Sequence, residues 1–169
     1  RLVSVPNLDK ENLIAQFANI DLRIVFNPDL DFAEMYFIND YVENQIRTIE
    51  VSRLVSKVAE VSEVRAKLVE QQQEMGKGKG IVMDGRDIGT VVFPDAELKF
   101  FMTSSANTRA QRRFDELVEK GQRVTFEEVL QNVEERDYID TNRADSPLVK
   151  ANDAIEIDNS SLSKKEQFD

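Results

Sequence analysis

The 169-residue sequence contains no cysteine, no histidine and no tryptophan. Without cysteine there is no disulfide framework, no thiolate nucleophile and no cysteine-ligated metal. Without histidine the commonest general base and every histidine-bearing catalytic triad are excluded. Any chemistry has to run on carboxylates, arginines, lysines, backbone amides or borrowed ions. Phosphoryl transfer tolerates that restriction, because it depends mainly on positioning and charge stabilisation. No run approaches the roughly 18 consecutive apolar residues of a membrane helix. A content of 41% apolar and 32% charged residues is ordinary for a soluble globular protein, and the length suits one domain with a small insertion. The opening Arg1-Leu2-Val3-Ser4-Val5-Pro6 has neither the apolar core of a signal peptide nor a methionine, which predicts further sequence upstream. An excess of positive charge is also lacking. The net charge of −10 argues against a protein that coats nucleic acid. Yet Arg109, Arg112, Arg113, Arg123, Arg136 and Arg143 put six of the twelve arginines into residues 109–143, so a local anion site is compatible with an acidic whole.

Asp9 is placed to cap a short helix carrying Leu13, Ile14, Phe17 and Ile20 at helical spacing. Residues 22–26 and 32–38, separated by the turn signal Asn27-Pro28-Asp29, predict a small antiparallel hairpin. From 44 to 75 the apolar spacing is helical, and Ser62 as a second cap predicts two helices with a bend between them. The run Met75-Gly76-Lys77-Gly78-Lys79-Gly80 follows a helix and enters a strand, the reverse of a phosphate loop, and reads as a surface turn. Strands are predicted at 81–83, 98–102 and 154–157, with helices at 106–120 (stopped by Gly121), from Thr125 to about residue 138, and from Ser161 onward. Alternating strands and helices imply α/β architecture: a parallel sheet flanked by helices.

Asp84-Gly85-Arg86-Asp87 sits where the strand at 81–83 should end, the place where open parallel sheets bind ligands. Arginine offers a planar fork for phosphate and aspartate accepts from an amino group on a base; the alternative is an Asp-Gly turn with a surface ion pair. The helix opened by Thr125, with Glu128 completing a capping box, should bury Phe126, Val129, Leu130 and Val133. The same spacing continues to Arg136, Asp140 and Arg143 if the helix runs on. An apolar stripe that turns into Arg-Asp-Arg ends in a charged cleft, where the arginines hold phosphate and the aspartate a ribose hydroxyl. An exposed Arg136–Asp140 pair is the rival reading. On the preceding helix Ala110, Phe114 and Leu117 face the core. Arg109, Arg112 and Arg113 lie on another side, with Glu116 a partner for Arg112 or the arginines free for ATP phosphates.

The segment Gly80-Ile81-Val82-Met83-Asp84-Gly85-Arg86-Asp87-Ile88-Gly89-Thr90-Val91-Val92-Phe93-Pro94-Asp95-Ala96 resembles the signature of bacterial cytidylate kinases. Ile46-Arg47-Thr48, residues 109–113 and Glu135-Arg136-Asp137-Tyr138-Ile139-Asp140-Thr141-Asn142-Arg143 follow in the family's order. The resemblance is weak before about Asn44 and strong from Ile46 onward. It implies a nucleoside monophosphate kinase fold of the phosphate-loop type, with a nucleotide monophosphate-binding region over residues 1–79 that contains a β insertion at about 20–43. Residues 80–169 would form the core, including a helical lid at about 109–143 to which the 119–125 loop belongs. By similarity Ser56, Arg65 and Asp87 contact cytosine, and Arg136, Asp140 and Arg143 hold ribose and phosphate with Arg86 nearby. Arg136, Arg143 and Arg86 would act in catalysis, Arg109 and Arg113 would meet ATP, and Asp84 would reach Mg2+ through water. The implied activity is ATP-dependent phosphorylation of CMP and dCMP by a cytoplasmic monomer that binds neither nucleic acid nor membrane. The alternatives are a UMP or AMP kinase or a non-catalytic nucleotide-binding domain. The family's Gly-x-x-x-x-Gly-Lys-Ser/Thr loop does not occur in these 169 residues; it would precede Arg1, so these residues alone are expected to be inactive.

Overall fold

The computed structural model describes residues 3–4, 7–16, 20, 22–29, 32–163 and 165–167. Strands β1 (Val3–Ser4) and β2 (Asn7–Leu8) pair antiparallel ahead of helix α1 (Lys10–Ala15). Asp9 caps α1 as predicted, its Oδ1 accepting from the Asn12 amide at 2.9 Å. The helix ends at Ala15, short of Ile20, and Phe17 lies outside the described residues. Strands β3 (Leu22–Asn27) and β4 (Phe32–Phe37) form the predicted hairpin, with Leu22 opposite Phe37 and Asn27 opposite Phe32. Ile38, at φ 62°, turns the chain back so that β5 (Asp40–Tyr41) adds a third antiparallel strand.

Three helices follow instead of two: α2 (Glu43–Ile46), α3 (Ile49–Ala59) and α4 (Ser62–Gly76). Thr48 breaks the first two apart because its Oγ1 accepts from the Val51 amide and caps α3. Ser62 does not cap α4. It is the first helical residue, behind Val61 in extended conformation, and its hydroxyl bonds to Asp145 instead.

The predicted strand at 81–83 is not formed, since it has no ladder partner among the described residues; Val82 is fully exposed. The chain instead enters a five-residue π-helix, Ile88–Val92, which the sequence pattern did not reveal. Strand β6 (Phe100–Thr103), helices α5 (Ala106–Glu119) and α6 (Phe126–Asn142), and strand β7 (Ile155–Asp158) complete the α/β half. β6 and β7 pair in parallel, Phe100 opposite Ile155 and Thr103 opposite Asp158, with both helices in the crossover. Gly121 ends the first of these helices at φ +73°. No helix begins at Ser161; residues 165–167 are a turn.

The main core lies between α5 and α6. Ala110, Leu117 and Val129 are fully buried there, joined by Phe114, Phe126, Leu130, Val133 and Ile49, with the two phenylalanine rings edge to face at 6.3 Å. A smaller cluster, Leu13, Val61 and Val64, ties α1 to α4. Entry into α6 is set by the predicted capping box: Thr125 Oγ1 accepts from the Glu128 amide at 3.2 Å, and the Glu128 carboxylate accepts from the Thr125 amide at 3.0 Å. Thr125→Ala is expected to lower stability by about 1 kcal/mol, read as a shifted urea midpoint with unchanged slope. An unchanged midpoint would show that packing alone holds this end.

Candidate functional site

Helix α6 runs on to Asn142, past the predicted stop near residue 138. Its inward stripe therefore carries Asn132, Arg136 and Asp140 at successive turns before Arg143 closes the helix as its C-cap. Asp140 is 2% exposed, which excludes the exposed-pair reading. Its Oδ2 accepts from Arg86 Nε at 3.1 Å and its Oδ1 from Arg143 Nη1 at 3.3 Å. Arg143, 7% exposed, also donates through Nε and Nη2 to the Ser146 carbonyl at 2.9 and 2.6 Å. This strap holds Ser146 at φ 50°, a backbone state that an L-residue adopts only when its surroundings impose it.

The π-helix supplies the second carboxylate. Asp87 precedes it, and the Asp87 carbonyl accepts from the amides of Thr90, Val91 and Val92. That turn fixes the Asp87 side chain against Arg65 on α4, and the two form a nearly buried ion pair.

Four guanidiniums, of Arg65, Arg86, Arg136 and Arg143, thus meet two carboxylates, Asp87 and Asp140. Four positive less two negative charges leaves a formal +2. Arg136 differs from the other three in having no carboxylate within salt-bridge distance among the described residues; it donates to the Ser52 hydroxyl at 3.1 Å. Burial, followed by the repulsion of Arg86, pushes its pKa down. Burial, followed by Arg65, does the same to Arg143. Both shifts come from burial and crowding by like charge; Arg143 keeps Asp140 as its counterion, whereas Arg136 has none within salt-bridge distance among the described residues.

Buried polar atoms are normally hydrogen-bonded. Among the described residues four buried side-chain atoms have no partner, and three belong to predicted site residues: Ser56 Oγ, Arg65 Nε and Arg136 Nε. Ser56 and Arg136 line the same cleft, about 340 Å³ between α3 and α6. A larger cleft of about 450 Å³ lies by Tyr41, Arg47 and Arg113. Its charges already satisfy one another, Arg47 on Glu43 and both Arg113 and Lys120 on Glu116, each at 2.7 Å. The smaller cleft is therefore the better candidate.

Ser56, Arg65, Arg86, Asp87, Arg136, Asp140 and Arg143 are drawn into one region by α3, α4, the π-helix and α6. Arg109 is not part of it: it lies in a two-pronged pair with Asp137, which raises its pKa, and donates to the Ser104 carbonyl. Arg113 donates to the Arg47 carbonyl as well as to Glu116. Glu116 serves Arg113 and Lys120, not Arg112 as expected, because Arg112 reaches Asn159 and the Leu162 carbonyl instead. Asp84 is exposed, and no group of three acidic residues converges among those described. Ser52 and Asn132 were missed. Asn132 sits four residues before Arg136 and Ser52 four before Ser56, so extending each polar stripe by one helical turn would have found them.

A model of the family described as cytidylate kinase matches residues 2–169. A cytidylate kinase of Flavobacterium johnsoniae is 68% identical over 168 residues, 99% of this chain and 73% of that protein. One from Flavobacterium psychrophilum is 68% identical over 160 residues, 95% of this chain and 71% of the relative. One from Phocaeicola vulgatus is 56% identical over 161 residues, 95% and 70% of the two chains. With its Asp-Gly-Arg-Asp turn and its Arg-Asp-Arg stripe brought together in space, and its sequence matched almost from end to end, this chain belongs to the cytidylate kinase family.

Proposed function

We propose that the protein phosphorylates CMP, and dCMP as a second acceptor, at the expense of ATP, and that the cleft between α3 and α6 receives the acceptor nucleotide. The observation that carries this reading is the uncompensated cluster around Arg136. A phosphate monoester carries a charge of about −1.5 to −2 near neutrality, which balances the formal +2. Arg136, Arg143 and Arg86 hold the acceptor phosphate and stabilise charge as the phosphoryl group transfers; a guanidinium fork fixes two oxygens at once. Asp140 orients Arg86 and Arg143 and meets the ribose. Ser56, Arg65 and Asp87 face the base; Ser56 Oγ and Arg65 Nε, buried with no protein partner, are the unsatisfied polar atoms that support this reading. Residues 1–79 then form the nucleotide monophosphate-binding region and 80–169 the core with its lid.

The donor side is not assembled from the described residues. Arg109 and Arg113 are committed to protein acceptors, and Asp84 alone does not make an ion site. Magnesium is assigned to ATP, which carries it through its own phosphates. No helix among the described residues is long and apolar enough to cross a membrane. We place the enzyme in the cytoplasm, as a monomer.

The test is an assay of the full-length protein with ATP, Mg2+ and CMP, UMP or AMP in parallel. CDP as the main product is expected; equal turnover of UMP or AMP, or none of any nucleotide, overturns the reading. In the same assay Asp87→Ala should lower kcat/KM for CMP about tenfold while affecting UMP far less, because a base pocket loses an acceptor for the amino group. Unchanged CMP/UMP discrimination would remove Asp87 from the base pocket.

A further inference from the structure

Two buried polar residues with no place in the acceptor contacts, Ser52 on α3 and Asn132 on α6, are bonded across the two helices. Ser52 is 8% and Asn132 6% exposed, and Ser52 Oγ donates to Asn132 Oδ1 at 2.7 Å while accepting from Arg136 Nη1 at 3.1 Å. The direction of this relay is forced. A guanidinium has donors only, so the serine oxygen must accept from Arg136, and its single proton is left for the amide oxygen of Asn132. Once that proton is anchored, the serine lone pair faces the arginine and cannot rotate away. Nη1 is thereby pinned, and Nε is buried without a protein partner behind the wall of the cleft that Arg136 lines.

We propose that Ser52 and Asn132 are positioning residues, a neutral clamp that aims Arg136 at the acceptor phosphate. The inference rests on the reading of Arg136 given above. A carboxylate in place of the clamp would hold the guanidinium more strongly but cancel the charge that the phosphate requires. A serine backed by an amide fixes direction and leaves the charge whole. The clamp also joins the helix bearing Ser56 to the helix bearing Arg136, so the base-side and phosphate-side groups of the cleft keep a constant separation.

The experiment is a set of cycles in the full-length enzyme, with steady-state kinetics for CMP and thermal unfolding of every variant. Ser52→Ala is expected to lower kcat about fivefold, with KM for CMP changed less than about twofold, because the loss falls on aim at the transition state. Ser52→Thr, which keeps the hydroxyl, should recover most of kcat. In the Arg136→Ala background Ser52→Ala should have no further effect on kcat, as expected for residues acting through one group. Asn132→Leu, which keeps the volume and removes the acceptor, should repeat the pattern and serves if Ser52→Ala does not fold. Equal losses from Ser52→Ala in both backgrounds, or wild-type kcat in folded Ser52→Ala and Asn132→Leu, would reduce the clamp to packing. If Arg136→Ala itself retains wild-type kcat, the acceptor-site reading fails first and the clamp falls with it. If Arg136→Ala is impaired and the clamp variants are not, only the clamp fails.

Discussion

Arg136→Ala in the full-length enzyme is expected to lower kcat for CMP about a hundredfold, and Arg136→Lys about tenfold, with unfolding temperatures close to wild type. A preorganised donor to a transferring group is commonly worth about 10²–10³ in kcat. The lysine variant separates geometry from charge: it keeps the cation but replaces a planar fork with a point charge that cannot hold two oxygens in one orientation. Stability should change little because Arg136 makes one hydrogen bond, to the neutral Ser52 hydroxyl, and no ion pair among the described residues. Its partly buried charge is a cost to the free protein, relieved when an anion arrives. The alanine variant should therefore also weaken CMP-dependent stabilisation, so the rise in unfolding temperature with added CMP should shrink. Wild-type turnover and CMP affinity in both variants would return Arg136 to a structural role.

Asp140→Ala should act in the opposite proportion, on the fold first. Asp140 is almost fully buried and satisfies Arg143, itself buried, together with the half-exposed Arg86. Removing one partner of a buried pair leaves the other charge without compensation, a loss of about 3–5 kcal/mol in comparable cases. We expect about 3 kcal/mol here, the low end, because Arg143 keeps two bonds to the Ser146 carbonyl. Denaturant unfolding would show a large drop in midpoint, and CMP turnover should fall even in the folded fraction as Arg86 and Arg143 lose their common anchor. A change below about 0.5 kcal/mol, the range of an ordinary surface substitution, would mean that the pairing seen around Asp140 is incidental.

How far these residues were legible from the sequence depends on the kind of contact that holds each one. The α6 stripe was readable because helical periodicity is local: Phe126, Val129, Leu130 and Val133 point the same way as Arg136, Asp140 and Arg143, and the capping box marks where counting starts. The hairpin was readable for a similar reason, with two short runs rich in aliphatic and aromatic residues on either side of an Asn-Pro-Asp turn. Where local pattern misled, a distant partner decided. The 81–83 run is apolar enough for a strand, but a strand exists only through a ladder neighbour, which none of the described residues provides. Ser62 has the chemistry of a cap, yet its hydroxyl is taken by Asp145, 83 residues away in sequence.

What the sequence determined by itself was the type of chemistry available and the helix to which anion binding is here assigned as a proposal. A chain without cysteine or histidine, acidic overall yet with arginine concentrated between 109 and 143, is confined to charge and positioning, and one helix carries that charge inward. Its resemblance to a kinase family supplied Ser56 and Arg65, which no periodicity singled out. Only the tertiary structure decided which arginines share a site, which are neutralised elsewhere, and which one is left without a counterion. Arg109 and Arg136 look alike in sequence, but Asp137 pairs with the first while Ser52, itself bonded to Asn132, accepts from the second. The physical reason is that a cation's function depends on what neutralises it, and neutralising groups come from wherever the fold brings helices into contact. That information lies in the packing of α3 against α6 and of the π-helix against α4, and no local pattern of residues contains it.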